Sequence, residues 1–397
     1  MIPRPPGGRD DPGRIGDPMQ TRAHQLLALG QSLWLDHIHR RDLGSGVFEQ
    51  QMAQGIVGVT SNPTIFQQAI GDSDVYDASI ERHLGAGLSG EALFTAVEVE
   101  DIQRACDLLA PAFERSAGLD GRVSIECNPH LAHDTAATIA EAKALHRMVA
   151  RPNVMVKVPA TAEGIPAIAA LTAEGMCINI TLIFSIARYL QVMEAYLGGL
   201  EQRMARGLPL QSIRSVASFF VSRVDTKVDK AIEAAAATRR EGDPARDELL
   251  NGRGRAAVAN ARLAYAAFQE AFGGPRFAAL ARQGAHVQRP LWASTSTKNK
   301  AYPDTLYLDE LIGPDTVNTV PPATFVAFLD HGRVEPAITR DLAGARAWFR
   351  RLPELGVPVE ELIAELEEEG VVAFDTSWDS LLGTLESKRQ ALAGRAR

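Results

Sequence analysis

A single lysine, Lys157, interrupts an otherwise apolar run from Val154 to Pro159. Such a run is typical of a buried strand, and lysine is rarely buried in proteins without a charged partner. Burial disfavours the charged ammonium and therefore favours the neutral amine, which is the nucleophilic form. A buried lysine can attack a carbonyl carbon and form a Schiff base. The alternative is a structural ion pair with Glu126 or Asp36.

Polar side chains also stand near the carboxyl ends of the other apolar runs. Because side chains alternate along a strand, each polar group shares one face with the residue two positions before it. The residues concerned are Asp36, Asn62, Glu126, Asn179, Thr181, Ser218 and Ser294. In an α/β barrel, polar groups at the carboxyl ends of the strands form the active site.

The elements that must position these groups are short strands alternating with longer helices. The predicted strands are Ser32–Ile38, Ile56–Ser61, Val123–Cys127, Val154–Pro159, Cys177–Phe184, Val216–Val221, Pro290–Ala293 and Thr316–Val320. In the stretches between them, apolar residues recur at helical spacing, which predicts helices. Strands that alternate with helices form parallel sheets through right-handed crossovers. Eight of them in one chain favour a closed (β/α)8 TIM barrel of the α/β class.

The competing fold is a doubly wound open sheet. That fold normally carries a glycine-rich fingerprint after its first strand. Here the first strand runs into Asp36-His37-Ile38-His39, and neither that fingerprint nor a Walker A motif is present. The barrel is therefore the favoured architecture.

The two ends of the chain depart from the barrel pattern. Residues 1–18 are rich in Pro, Gly, Asp and Arg, and they are predicted to form a disordered arm; the alternative is an over-extended start, with Met19 as the true first residue. Residues 19–397 are predicted to form one domain, in which residues 323–397 are additional C-terminal helices packed on the barrel. The helices predicted there are Ala323–Asp330, Arg340–Arg351, Val359–Glu369 and Ser377–Leu392.

Composition excludes several classes of function. The formal net charge of -8 argues against wholesale binding of nucleic acid or of an anionic membrane. No apolar run reaches the roughly 18 residues of a membrane helix. Three scattered cysteines fit a reducing cytoplasm better than a disulfide scaffold or a zinc site. His130 and His133 could suggest a metal site, but Asp134 or Thr135 beside them more simply caps the next helix.

Several segments resemble the transaldolase family. Gly58–Phe66 is similar to the signature at the end of the family's second strand, and Val154–Ile165 is similar to its Schiff-base strand and the following loop. The resemblance continues in the family's order through Ile178–Ser185, Ala217–Asp225 and Trp292–Asn299. It covers about Leu33 to Val326, and the longer forms of the family, which have extra helices, are closest in kind.

The resemblance implies a role for each catalytic candidate. Lys157 would attack the ketose carbonyl. Glu126, acting with Thr181 through a water, would shuttle protons while the imine forms and is hydrolysed. Asp36 would take the proton of the hydroxyl beyond the bond that breaks. Because the iminium accepts the electrons of that bond, the resemblance implies neither a metal ion nor a cofactor.

The resemblance also implies a set of substrate-binding residues. Amide groups can both donate and accept hydrogen bonds, which suits them to the hydroxyls of a dihydroxyacetone unit. Asn62, Asn179 and Ser218 are expected there. Arg223, Ser296 and Lys298 are expected to bind the phosphate. Shorter relatives carry Arg where Lys298 stands, so the phosphate geometry is expected to differ here.

The reaction implied is the transfer of dihydroxyacetone from sedoheptulose 7-phosphate to glyceraldehyde 3-phosphate in the non-oxidative pentose phosphate pathway. The expected partners are sugar phosphates alone, and the protein is expected to be a monomer or a homodimer. The nearest rival is a lysine aldolase that releases dihydroxyacetone to water; the related fructose-6-phosphate aldolases are much shorter and lack the glutamate. A non-catalytic sugar-phosphate-binding barrel is a second rival, and a metal-dependent hydrolase is a less favoured third.

Overall fold

Eight parallel strands form a closed barrel in chain order, which confirms the predicted (β/α)8 fold. The structure is a computed structural model that describes residues 20–395, so the predicted disordered arm lies outside the described residues. Pairing of Gln31 in the first strand with Thr316 in the last closes the barrel. The strands are β1 (Gln31–Asp36), β2 (Ile56–Thr60), β3 (Arg122–Glu126), β4 (Val154–Pro159), β5 (Ile178–Ile183), β6 (Ser215–Phe220), β7 (Gln288–Ala293) and β8 (Thr316–Val320).

Helices surround the barrel and continue beyond its last strand. Up to β5 they are α1 (Arg22–Ala28), α2 (Arg40–Ser45), α3 (Val47–Ala53), α4 (Pro63–Gly71), α5 (Asp77–Gly85), α6 (Gly90–Arg115), a 3₁₀ turn (Pro129–Leu131), α7 (Thr135–Val149) and α8 (Gly164–Glu174). After β5 they are α9 (Ile186–Ala205), α10 (Ser222–Ala237), α11 (Pro244–Asn251), α12 (Ala256–Gly273), α13 (Pro275–Ala281), α14 (Leu306–Asp309), α15 (Pro322–His331), α16 (Leu342–Glu354) and α17 (Val359–Arg395).

Local sequence explains where several helices begin at the carboxyl ends of strands. Asn62 accepts a hydrogen bond from the backbone N–H of Ile65 and precedes Pro63, so β2 turns directly into α4. Asp134 caps α7 by accepting from the backbone N–H of Ala137, as the sequence predicts. These caps fix short connections and hold the strand ends in place.

The predicted division of the C-terminal region is wrong at one point. The two helices predicted over Val359–Glu369 and Ser377–Leu392 are one continuous helix, α17. The residues between them, Gly-Val-Val-Ala-Phe-Asp-Thr, have poor helix propensity and suggest a break. Val371 and Phe374 are buried, however, so packing on the barrel keeps this stretch helical. Helix α17 packs against α4, α5, α6, α10 and β5.

Side chains fill the interior of the barrel. Trp34 is fully buried there, and a Cβ atom added at Gly58 of β2 would lie 2.6 Å from its ring. Glycine at this position therefore makes room for the indole of the neighbouring strand β1. None of the helices within residues 20–395 has the length and apolarity needed to cross a membrane.

Candidate active site

The carboxyl ends of the strands surround a cavity of about 410 Å³. Eight of the ten predicted site residues line it, and two, Glu126 and Asn179, lie behind the lining. Residues Ser294 and Thr295, which follow β7, also contribute to the wall. The residues that reach the cavity are Asp36, Asn62, Lys157, Thr181, Ser218, Arg223, Ser296 and Lys298.

Strand register places three of the predicted residues side by side. Glu126 of β3 pairs with Lys157 of β4, and Lys157 pairs in turn with Asn179 of β5. Paired residues of neighbouring parallel strands point to the same side of the sheet, which here is the barrel interior. A carboxylate, an amine and an amide therefore share one layer.

Lys157 lies in a closed environment. Its Nζ donates hydrogen bonds to Glu126 Oε2 at 2.8 Å and to the backbone carbonyl of Ser61 at 2.9 Å. Only 5% of Lys157 and 6% of Glu126 is exposed. The Phe374 ring centroid lies 5.8 Å from Nζ, so an aromatic ring of α17 faces the amine. Lys157 and Glu126 therefore form an ion pair, and Lys157 also lines the cavity.

Two carboxyl groups near Lys157 hold their protons more tightly than ordinary carboxyl groups. Burial raises the pKa of Glu126, although the charge and hydrogen bond of Lys157 oppose that shift. Burial likewise raises the pKa of Asp36, and the Lys157 charge and a 2.8 Å hydrogen bond from Thr60 oppose it. Both groups can therefore act as acid and as base.

Asn179 is held from both sides by hydroxyl groups. Its Nδ2 donates to Ser124 Oγ at 3.0 Å, and Ser218 Oγ donates to its Oδ1 at 2.7 Å. Asn179 is fully buried, whereas Ser218 reaches the cavity. In this arrangement Asn179 orients the Ser218 hydroxyl.

Thr181 and Asn62 keep groups free to bind substrate or water. The Thr181 hydroxyl is buried and has no hydrogen-bond partner within the described part of the chain. The Asn62 side-chain oxygen is occupied as the cap of α4. Its amide nitrogen is therefore the group that can face a ligand.

Cationic groups besides Lys157 also line the cavity. Arg223 lies at the start of α10, above the Phe220 ring at 5.8 Å, and burial lowers the pKa of its guanidinium. Lys298 Nζ donates to Ser296 Oγ at 2.8 Å. The cavity thus combines an amine and carboxyl groups with two further cations and a hydroxyl, which suits an anionic substrate.

Sequence reasoning missed several residues at or behind this site. Phe374, Thr60 and His37 line the cavity. Glu98 of α6 is buried; burial and the charges of Glu126 and Glu141 raise its pKa well above the ordinary value. An acidic residue within the apolar stripe of α6 could have revealed Glu98. Phe374 follows more than fifty residues after the last strand, and no local pattern connects it to Lys157.

Within residues 20–395, no group of three or more His, Cys, Asp or Glu side chains could hold a metal ion. His130 contacts Asp379 at 3.1 Å, and His133 contacts Glu163 at 3.2 Å. Both histidines therefore bridge loops and helices at the surface.

The fold and the cavity together define a (β/α)8-barrel enzyme with a buried lysine at the carboxyl ends of the strands. A model of the transaldolase/fructose-6-phosphate aldolase family matches residues 33–385. The chain belongs to this family, and the resemblance of its motifs is confirmed.

Similar proteins match along nearly their whole length. Transaldolase of Thermobifida fusca is 48% identical over 370 residues, covering 93% of this chain and 97% of that protein. Transaldolase of Mycolicibacterium smegmatis is 46% identical over 368 residues, covering 92% and 97%. Transaldolase of Mycobacterium ulcerans is 47% identical over 371 residues, covering 93% and 97%.

Proposed function

We propose that this protein is a transaldolase that moves a dihydroxyacetone unit from sedoheptulose 7-phosphate to glyceraldehyde 3-phosphate. The products are erythrose 4-phosphate and fructose 6-phosphate, as in the non-oxidative pentose phosphate pathway. The observation that carries the proposal is the buried Lys157 amine, 2.8 Å from the Glu126 carboxylate, in a cavity that Arg223 and Lys298 also line. The family and the names of the similar proteins support it.

Imine formation uses the Lys157–Glu126 pair. Nζ of Lys157, as the neutral amine, attacks the ketose carbonyl carbon and forms a carbinolamine. Glu126, acting with Thr181 through a water, supplies the proton that leaves with the hydroxyl as water, and an iminium remains. The raised pKa of Glu126 favours the acid form that this step needs.

Cleavage uses Asp36. Its carboxylate takes the proton of the hydroxyl on the carbon beyond the bond that breaks. The electron pair of that carbon–carbon bond moves into the iminium, which becomes an enamine, and the aldose phosphate leaves as an aldehyde. The enamine then adds to the acceptor aldehyde, Asp36 returns the proton, and water releases the new ketose from Lys157.

Different residues of the cavity bind the two ends of the substrate. Asn62, Ser218 and, through Ser218, Asn179 hold the hydroxyls of the dihydroxyacetone unit. Arg223, Ser296 and Lys298 bind the phosphate, with a point charge from Lys298 where an arginine would offer a fork. These three are grouped as the phosphate-binding residues.

Borohydride trapping tests this assignment. The protein is incubated with fructose 6-phosphate, reduced, digested and analysed by peptide mass spectrometry. We expect a reduced three-carbon adduct on Lys157 and none in Lys157→Met. Lys143→Met, which removes a partly exposed lysine paired with Glu174 on the surface, should leave trapping unchanged. Absence of an adduct from folded, substrate-binding protein would contradict the catalytic role of Lys157.

Transfer is then distinguished from hydrolysis by a coupled assay with and without glyceraldehyde 3-phosphate. A transaldolase forms product rapidly only when the acceptor is present. Rapid release of free dihydroxyacetone without acceptor would indicate a lysine aldolase instead.

We also propose that residues 19–397 act as one domain, located in the cytoplasm, as a monomer or a homodimer. Phe374 of α17 lines the same cavity as Lys157, which supports a single functional unit. The three cysteines are free thiols, which fits a reducing compartment. Light scattering of the purified protein measures the oligomeric state.

A further inference from the structure

A second cavity, of about 230 Å³, opens at the amino-terminal end of the barrel. Its inner end includes Trp34 of β1 and Met155 of β4. These residues precede Asp36 and Lys157 by two positions on the same strands, so they lie one layer below the candidate active site. We name this space the amino-end cavity.

The charges that line the amino-end cavity are mainly positive. Three arginines, Arg122, Arg214 and Arg289, contribute to its wall, whereas Asp315 is the one lining carboxylate within the described residues. Arg122 is 2% exposed and Arg289 is 5% exposed. Buried guanidinium groups normally have carboxylate partners, because taking a charge out of water is costly.

Two of these arginines lack such a partner. Arg122 donates from Nε and Nη2 to the Gly118 carbonyl, at 2.9 and 2.6 Å. Arg214 donates to carbonyl groups at 2.6 to 3.2 Å. Carbonyl groups satisfy hydrogen bonds but carry no net charge to offset that of a guanidinium. Within residues 20–395, the charges of Arg122 and Arg214 are therefore uncompensated by any carboxylate at hydrogen-bonding distance.

The positive charge of Arg289 is only partly offset by a carboxylate. Its Nη1 lies 3.3 Å from Asp120 Oδ1, and that same oxygen already accepts a 2.6 Å hydrogen bond from Ser32. The Nε atoms of Arg289 and Arg214 have no partner in the part of the chain that the structure describes. Burial lowers the pKa of Arg289, and burial together with the charge of Arg122 lowers that of Arg214.

His286 adds an imidazole to the same wall. Burial and the neighbouring Arg214 and Arg122 charges lower its pKa, so the imidazole is uncharged near neutral pH. The ring also forms a hydrogen bond to the backbone of Gln211, which occupies the one N–H of a neutral imidazole. The cavity thus offers cations, with little negative charge to repel an anion.

We propose that the amino-end cavity binds a small inorganic oxyanion of the phosphate or sulfate type. Its tetrahedral oxygens accept hydrogen bonds from guanidinium groups, and its charge offsets theirs. The volume of the cavity limits the ligand. At about 230 Å³ it is several times the roughly 30 Å³ of one water molecule but smaller than typical pockets for organic ligands, which begin near 300 Å³. The cavity therefore has room for one such ion with a few waters, and it is smaller than the 410 Å³ cavity that holds the sugar phosphate. This inference does not rest on the proposed reaction.

Calorimetric titration with inorganic phosphate tests the site. Because phosphate also binds at the phosphate-binding residues, the titration uses a background in which Arg223 and Lys298 are both replaced by Gln. We expect about one phosphate to bind per chain in this background. Adding Arg214→Gln should weaken that binding about tenfold or more, since one charged donor is lost. Adding Arg240→Gln, an exposed arginine on the loop after α10, should leave it unchanged.

A crystal of the wild-type protein soaked in selenate locates the anion independently of any variant. An anomalous selenium peak between Arg214 and Arg289 is expected. Absence of phosphate binding in the background, equal binding with Arg214→Gln in protein of unchanged melting temperature, or a peak only at Arg223 and Lys298 would overturn the proposal.

Discussion

The Lys157–Glu126 pair faces two opposing demands. An ion pair at 2.8 Å stabilises the ammonium, whereas attack on a carbonyl needs the neutral amine. Burial raises the pKa of Glu126 and so reduces the cost of moving the proton from Lys157 to the carboxylate. The same contact can therefore stabilise the resting protein and prepare the reactive form.

Glu126→Gln is expected to lower kcat by about 10² to 10⁴, because an amide cannot exchange the proton that imine formation needs. Steady-state kinetics of the transfer reaction measure the loss. Glu98→Gln is the matched control, since Glu98 is also buried but accepts no hydrogen bond from the Lys157 amine, which donates to Glu126 and to the Ser61 carbonyl. Its kcat should fall far less, and equal losses in the two variants would argue against a proton-transfer role for Glu126.

Glu141 makes stability depend on pH. Burial raises its pKa from 4.5 to about 7, although a 2.9 Å hydrogen bond from the Asn128 backbone N–H opposes the shift. Between these values the folded protein holds a proton that the unfolded chain has lost. The free energy of unfolding therefore falls as pH rises through this window.

Glu141→Gln should remove that dependence while keeping a side-chain oxygen for the Asn128 N–H. Relative to wild type, the variant is expected to gain about 1 to 3 kcal/mol between pH 5 and pH 8. Urea unfolding at several pH values measures the difference. A constant difference across this range would show that Glu141 has an ordinary pKa.

At the scale of elements, the positions of the strands were predictable from the sequence. Whether each polar side chain reaches the cavity was not. All eight predicted strands lie within two residues of the observed bounds, because alternating apolar runs and helix caps are local signals. Alternation predicts which face a side chain occupies, so Lys157 and Thr181 were placed correctly in the cavity wall. It does not predict whether a residue reaches the cavity, and Glu126 and Asn179 lie behind it.

Helix α17 shows where local pattern fails. Its stretch around Gly370 has the composition of a break, and only packing against distant strands reveals that the helix continues. For the same reason the sequence did not associate Phe374 with Lys157. The contact depends on the complete barrel and on the path of the chain after β8.

Gly58 tests the packing of β2 against β1. In Gly58→Ala the new methyl group would lie 2.6 Å from the buried Trp34 ring, so the indole or the strand must move. We expect a loss of about 1 to 3 kcal/mol in the free energy of unfolding, measured by denaturant titration. Gly44→Ala is the control, because nothing lies within 4 Å of its added Cβ and alanine favours the helix. A Gly58→Ala variant as stable as Gly44→Ala would mean that the barrel interior is looser than described.

Across the whole molecule, α17 joins parts of the chain that are far apart in sequence. Arg188 of α9 forms a bidentate pair with Glu367 at 2.8 and 2.9 Å. Lys227 of α10 lies 2.7 Å from Glu365. These contacts hold the helix where Phe374 faces the Lys157 amine across the cavity. Helix α17 therefore completes the wall of a cavity that the ends of the eight barrel strands form in part.

Phe374→Ala should change what happens to the three-carbon unit on Lys157. Removal of the ring opens space for water beside the enamine and iminium, and exclusion of water protects such intermediates from hydrolysis. We expect the ratio of dihydroxyacetone release to transfer to rise about tenfold, measured with and without glyceraldehyde 3-phosphate. Leu385→Ala is the control: Leu385 is buried on the same helix but does not line the cavity, and its loss should cost about 2 to 5 kcal/mol of stability without changing that ratio. If both variants raise the ratio equally, loosening of α17 as a whole, and not the Phe374 ring, controls access of water to Lys157.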